Sequence, residues 1–140
     1  IPDEPSFVID IRHAHDEGLK KMEQDIITKF TELIEKSEVT MKIDNLFYNH
    51  ATQFDETCVD TIYRSANEIV GHQKVMKMLS GAGHDSCSTT NANVPTAMIF
   101  IPSKGGISHN PSEYSSPEEI DTGFKVLLDT VMQYDHARTD

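Results

Sequence analysis

The hydrophobic period of this chain changes twice before residue 44, and that alternation limits what it can fold into more than any other feature. Phe7, Ile9 and Ile11 alternate with Val8, Asp10 and Arg12, the period of two expected of a half-buried strand whose successive side chains point to opposite faces. Asp10 and Arg12 therefore share one face. Beyond Asp16, Leu19, Met22, Ile26, Phe30 and Leu33 recur every three or four residues, which predicts an amphipathic helix with Lys20, Lys21, Glu23 and Glu35 on its polar side. Val39, Met41 and Ile43 then alternate against Thr40 and Lys42. The opening segment reads strand, helix, strand.

Polarity rises between Asn49 and Asp55, so a subdomain boundary is expected near residues 50–54. Asp55 is a good N-cap for a helix carrying Cys58, Val59, Ile62, Ala66, Ile69 and Val70 at helical spacing. Val75 to Leu79 and Ala97 to Ile101 read as short strands, the second introduced by Pro95, and Ser86 to Asn93 as part loop, part short helix. Ser116-Pro117-Glu118-Glu119 is a capping box with proline at the first helical position, opening a helix through Ile120, Phe124, Leu127, Leu128 and Val131. Asp135 to Asp140 should fray. Strands and helices in this order predict an α/β (α+β) fold.

Charge excludes one class of partner. With 12 basic and 23 acidic residues the net charge is −11, which repels a phosphate backbone, so no nucleic-acid partner is expected. No apolar run approaches the roughly 20 residues that span a bilayer, and no membrane association is expected. Cys58 and Cys87, without a secretory segment, read as thiols of a soluble cytoplasmic protein.

Two histidines stand in glycine-rich loops on either side of the apolar run Met98-Ile99-Phe100-Ile101: Gly81-Ala82-Gly83-His84-Asp85-Ser86 and Gly105-Gly106-Ile107-Ser108-His109-Asn110-Pro111. Glycine permits positive φ and close approach of backbone to a ligand. As a neutral imidazole, His109 can coordinate zinc with its other ring nitrogen oriented by an acceptor, but a loop histidine is more often structural and one ligand makes no site. His84 can donate to a substrate carbonyl or oxyanion, with Asp85 orienting it or capping the turn. Arg12 can present its planar fork to a substrate carboxylate, or simply pair with Asp10. Ser86 and Cys87 lack the partners of a nucleophile. His13 and His15 sit among solvated charges, Arg64 reads as solvated and Cys58 as core, and His50, His72 and His136 carry no assigned role.

Taken in order, Ile9-Asp10-Ile11-Arg12-His13, Ser80-Gly81-Ala82-Gly83-His84-Asp85-Ser86, Pro95 through Ser103 and Gly106-Ile107-Ser108-His109-Asn110-Pro111 resemble the C-terminal part of the N-carbamoyl-amino-acid amidohydrolases. That group includes β-ureidopropionase, L-carbamoylase and allantoate amidohydrolase. The resemblance spans nearly the whole chain. It implies a catalytic α/β domain binding two divalent metal ions, zinc or manganese, and an inserted ferredoxin-like lid that makes a homodimer. Residues 1–50 would be the end of the lid and 51–140 the last part of the catalytic domain. Carried over residue by residue, His109 becomes a metal ligand, His84 a catalytic and substrate-binding group, Gly83 a backbone contact and Arg12 the holder of the substrate carboxylate.

The resemblance also implies that most metal ligands and the general base lie in family segments upstream of Ile1. Gly105 stands where relatives commonly carry an acidic residue, and the loop between His84 and Pro95 is about one residue longer. The reading that follows is a metal-dependent amidohydrolase of N-carbamoyl amino acids, β-ureidopropionase-like, of which the isolated chain is inactive. Allantoate amidohydrolase, a related dipeptidase, or a non-catalytic dimerisation module are the alternatives.

Overall fold

The computed structural model describes residues 3–139. The chain divides into two compact units, Ile1–Thr52 and Gln53–Asp140.

The first unit is built on helix α1, Asp16–Ile34. Its apolar stripe buries Leu19, and the Phe30 ring meets Phe7 with centroids 5.8 Å apart. The segments flanking α1 form no strand, and most of their apolar side chains, Ile9 and Ile43 among them, are exposed. This departs from the strands expected at 7–12 and 39–43. A strand exists only through hydrogen bonds to a neighbouring strand, and no such ladder forms among the described residues. What ties the far end of the unit to α1 is Asp16: Oδ1 accepts the Ala51 N–H at 2.7 Å and Oδ2 lies 2.6 Å from His50 Nδ1.

The second unit contains α2 (Glu56–Val70), α3 (Asp85–Asn91) and α4 (Pro117–Thr139), with single turns of 3-10 helix at His72–Lys74 and Lys104–Gly106. Local caps set the helix starts. Asp55 accepts the Cys58 N–H at 2.9 Å, and Ser116 and Glu119 bond reciprocally, Glu119 Oε2 taking the Ser116 N–H at 2.7 Å and Ser116 Oγ the Glu119 N–H at 3.2 Å. At the other end α4 continues through Thr139 in place of the expected frayed tail, of which Asp140 lies outside the described residues.

Helices α2 and α4 pack on each other, with Thr61, Ser65 and Asn67 of α2 and Val126 of α4 buried. Arg64 is exposed, as expected, and also bonds across this pair through Nε to Gln133 Oε1 at 2.8 Å. Cys58 is half-buried on a groove that it lines with Ile62, Ala97 and Tyr134, and burial pushes its thiol pKa up. Most of the apolar stripe of α4 lies outside this packing: Ile120, Phe124, Leu127 and Leu128 are 50–60% exposed, while Val131 lines the groove beside Cys58. The helix instead turns Val126, Thr130 and Gln133 inward.

Residues 75–79 and 97–101 do not form the expected strands. Lys77 pairs with Asp60 at 2.6 Å and stands over the Tyr63 ring. Ile101 presses so closely on α4 that a Cβ at Gly123 would overlap its Cγ2, which explains a glycine in the middle of this helix.

Candidate active-site residues

Geometry distinguishes the two glycine-set histidines. His84 is the N-cap of α3, with extended backbone at φ −150° and ψ 156°. Its Nδ1 accepts the backbone N–H of Ser86 at 3.1 Å and lies 3.0 Å from Ser86 Oγ. Imidazole Nδ1 stands here where Asp or Asn would place a carboxyl or carbonyl oxygen, because both are acceptors on the γ-substituent. Asp85 therefore does not cap the turn; it is the first residue of α3. Gly83 and Gly81 do not use positive φ, contrary to expectation. A Cβ at Gly83 would meet nothing within 4 Å, so its backbone is open to approach.

The second loop does use the left-handed region. Gly105 and Gly106 have φ of 67° and 68°, and His109 itself has φ 54°. A non-glycine residue there is uncommon and persists when its surroundings hold it. The His109 N–H donates to Glu113 Oε2 at 3.1 Å, the Ser112 N–H to Asn110 Oδ1 at 2.9 Å, and the Glu113 N–H to the Asn110 carbonyl at 2.9 Å. Together these bonds close a tight loop that holds the exposed His109 imidazole at its start. Glu113 was not anticipated from the sequence; its only signal was a carboxylate four residues beyond the histidine.

Arg12 is engaged by Asp10. Nε lies 3.1 Å and 3.2 Å from the two carboxylate oxygens, and a terminal nitrogen lies 2.5 Å from Oδ2. Hydrogen bonding by the guanidinium holds the Asp10 carboxyl below the usual carboxylate range, and the same bonds raise the pKa of Arg12. Both side chains are 63% exposed, so the pair is solvated rather than locked.

Gly83, His84 and His109 belong to the second unit and Arg12 to the first. Among the described residues no group of three His, Cys, Asp or Glu side chains converges as a metal centre. His109 would supply one ligand, and one imidazole does not fit a closed or catalytic metal site, which needs at least three protein ligands. The described residues thus do not by themselves make a metal centre.

The sequence matches peptidase family M20/M25/M40 over residues 4–133, and the chain belongs to that family. Among its relatives are an allantoate amidohydrolase of Bacillus subtilis, 32% identical over 92% of this chain and 31% of the relative, and an N-carbamoyl-L-amino-acid amidohydrolase of Rhizobium meliloti, 33% identical over 95% of this chain and 31% of the relative. A ureidoglycolate hydrolase of Arabidopsis thaliana is 41% identical over 52% of the chain and 15% of its own length. The chain spans about a third of the length of the amidohydrolases it matches. No described helix is long and apolar enough to cross a membrane.

Proposed function

We propose that this chain is the C-terminal part of an amidohydrolase that cleaves the ureido C–N bond of a small carboxylate, an N-carbamoyl amino acid or allantoate. In that reading residues 1–50 end a ferredoxin-like lid that dimerises the protein, and 51–140 end its α/β catalytic domain. The observation that carries it is the His84 cap: α3 occupies Nδ1, so the ring's other nitrogen, Nε2, is the edge presented to substrate. The relatives named for ureido substrates support the same bond class.

The reaction adds water across the ureido carbon and expels ammonia, and the carbamate left on the amino nitrogen loses carbon dioxide to give the amine. His84 Nε2–H donates to the ureido oxygen as it gains negative charge, an interaction that strengthens towards the transition state. Gly83 offers its backbone beside that ring. Arg12 exchanges the Asp10 carboxylate for that of the substrate, keeping the same two-pronged contact. The complete enzyme would carry two zinc or manganese ions with His109 as one ligand, and those ions would supply charge stabilisation and water activation. A reducing compartment, the cytoplasm, suits Cys58 and Cys87, which are not in a disulfide.

The test is ammonia release by the natural full-length protein from N-carbamoyl-β-alanine, N-carbamoyl-α-amino acids and allantoate. Turnover is expected, with N-carbamoyl-β-alanine preferred under the β-ureidopropionase-like reading, and His84→Ala should lower kcat by about a hundredfold or more. The 140-residue chain with added zinc should be inactive. Failure of the full-length protein on all three substrates overturns the reading, and robust turnover by the isolated chain overturns its division into parts.

A further inference from the structure

We infer that Ser86 is a positioning residue that fixes the tautomer of His84, so that Nε2 carries the ring proton before substrate arrives. The inference rests on the reading of His84 as the substrate donor. A backbone N–H can only donate, and the Ser86 N–H points at Nδ1 from 3.1 Å. Nδ1 of the neutral ring must then present its lone pair, which places the proton on Nε2. The Ser86 hydroxyl, 3.0 Å from the same nitrogen, adds a second donor to it. A ring protonated on Nδ1 would set N–H against N–H and lose the cap.

Ser86 is itself held firmly enough to impose this choice. It is only 7% exposed, and a buried hydroxyl needs a partner, which Nδ1 supplies. Its carbonyl accepts the hydroxyls of Thr89 at 3.0 Å and Thr90 at 2.8 Å. The Thr89 hydroxyl lies 3.0 Å from that of Thr96, whose carbonyl accepts the Asp55 N–H at the start of α2, also at 3.0 Å. The orientation of His84 is thereby referred through α3 to the N-terminus of α2. Preorganised donors stabilise developing charge without reorganising during reaction, and that is the advantage this chain of bonds confers.

Selective 15N labelling of histidine in the full-length protein reads the tautomer directly, and Ser86→Ala removes the hydroxyl while leaving the backbone N–H. In the unsubstituted protein the His84 signals should show a bare Nδ1 and a protonated Nε2. In Ser86→Ala the backbone N–H keeps the proton on Nε2, but loss of the second donor should shift the Nδ1 signal and loosen the ring, with kcat down about tenfold and KM within about twofold. Ser88→Ala, an exposed position on the same helix, should change neither readout. A protonated Nδ1 in the unsubstituted protein, or Ser86→Ala with unchanged ring signals, overturns the inference. Loss of the inference leaves the effect of His84→Ala on turnover untouched, so failure of the proposed function is recognised separately.

Discussion

The first unit of this protein is held by polar contacts between residues far apart in sequence, the second by a pair of capped helices. In the first, Leu19 is the buried apolar side chain among the described residues, and Asp16 joins α1 to residues 34 and 35 positions away. In the second, α2 and α4 start at caps made within three residues of the chain and then pack through small side chains. Structure specified by neighbours in sequence forms wherever the chain is placed. Structure that needs a distant partner, a ladder strand above all, forms only where that partner is supplied.

The largest expected effect breaks the second unit alone. Ser65 is completely buried, and its hydroxyl has no hydrogen-bond partner among the described residues. Ser65→Leu would force a large side chain into a packed space, costing about 1–3 kcal/mol, and should lower the melting temperature of the second unit while amide exchange in α1 stays unchanged. Ser65→Ala, which only removes an unsatisfied hydroxyl, should be neutral or slightly stabilising. A Leu variant as stable as the parent would show that α2 and α4 are not close-packed.

Gly123→Ala comes next and has a sign that helix propensity alone gets wrong. Alanine in a helix interior is favoured over glycine by about 1 kcal/mol. Here the added Cβ would meet Ile101 Cγ2, a short branch next to the backbone that cannot swing aside. The variant should therefore melt below the parent, and the double variant with Ile101→Ala should recover the propensity gain. A stabilised single variant would mean that residues 97–101 do not rest on α4.

The same contrast explains what could be read in advance. The starts of α2 and α4 were legible because Asp55 and the Ser116–Glu119 pair signal them locally. The cap of α3 was not, because histidine is not a usual N-cap residue and its acceptor nitrogen imitates a carboxyl oxygen only once the backbone is extended. The alternating patterns at 7–12 and 39–43 and the apolar runs at 75–79 and 97–101 are real, yet pattern specifies a face and not a partner, so none of these segments forms a ladder. The outward stripe of α4 teaches the same point, since periodicity finds an apolar face without saying what covers it. The clasp of Asp16 with His50 was invisible, being polar and distant in sequence. Of the site, the residue types were legible and the geometry was not: nothing in Gly-Ile-Ser-His announces a left-handed His109 or its tie to Glu113.

Asp16 offers a smaller effect that sharpens the comparison through pH. The Ala51 N–H first, and then His50, hold its carboxyl below the ordinary value. A carboxylate with a lowered folded pKa adds stability that is present above its unfolded value and disappears as pH falls through the folded one. The amide of Ala51 should accordingly be protected near neutral pH and lose protection in acid, beyond the normal change in exchange chemistry. Asp16→Asn should remove that extra acid dependence and expose Ala51 at neutral pH, leaving the second unit unaffected. If Ala51 exchanges equally fast in both proteins at neutral pH, the first unit is held by something other than this clasp.

The smallest expected effect concerns Asp10 and Arg12, where stability and function should separate. The pair is solvated on both sides, and exposed ion pairs of this kind seldom contribute measurably to folding. Asp10→Asn should leave the thermal transition of the first unit unchanged, unlike Asp16→Asn, although both remove one carboxylate from the same unit. The difference lies in what each carboxylate holds: Asp16 takes a backbone N–H from a distant segment, whereas Asp10 takes only a side chain two residues away. In the full-length protein Asp10→Asn should still change KM for a carboxylate substrate, because it removes the group with which that substrate competes for Arg12. A shifted melting transition with constant KM would reverse the assignment, making the pair a structural tie and removing Arg12 from the substrate.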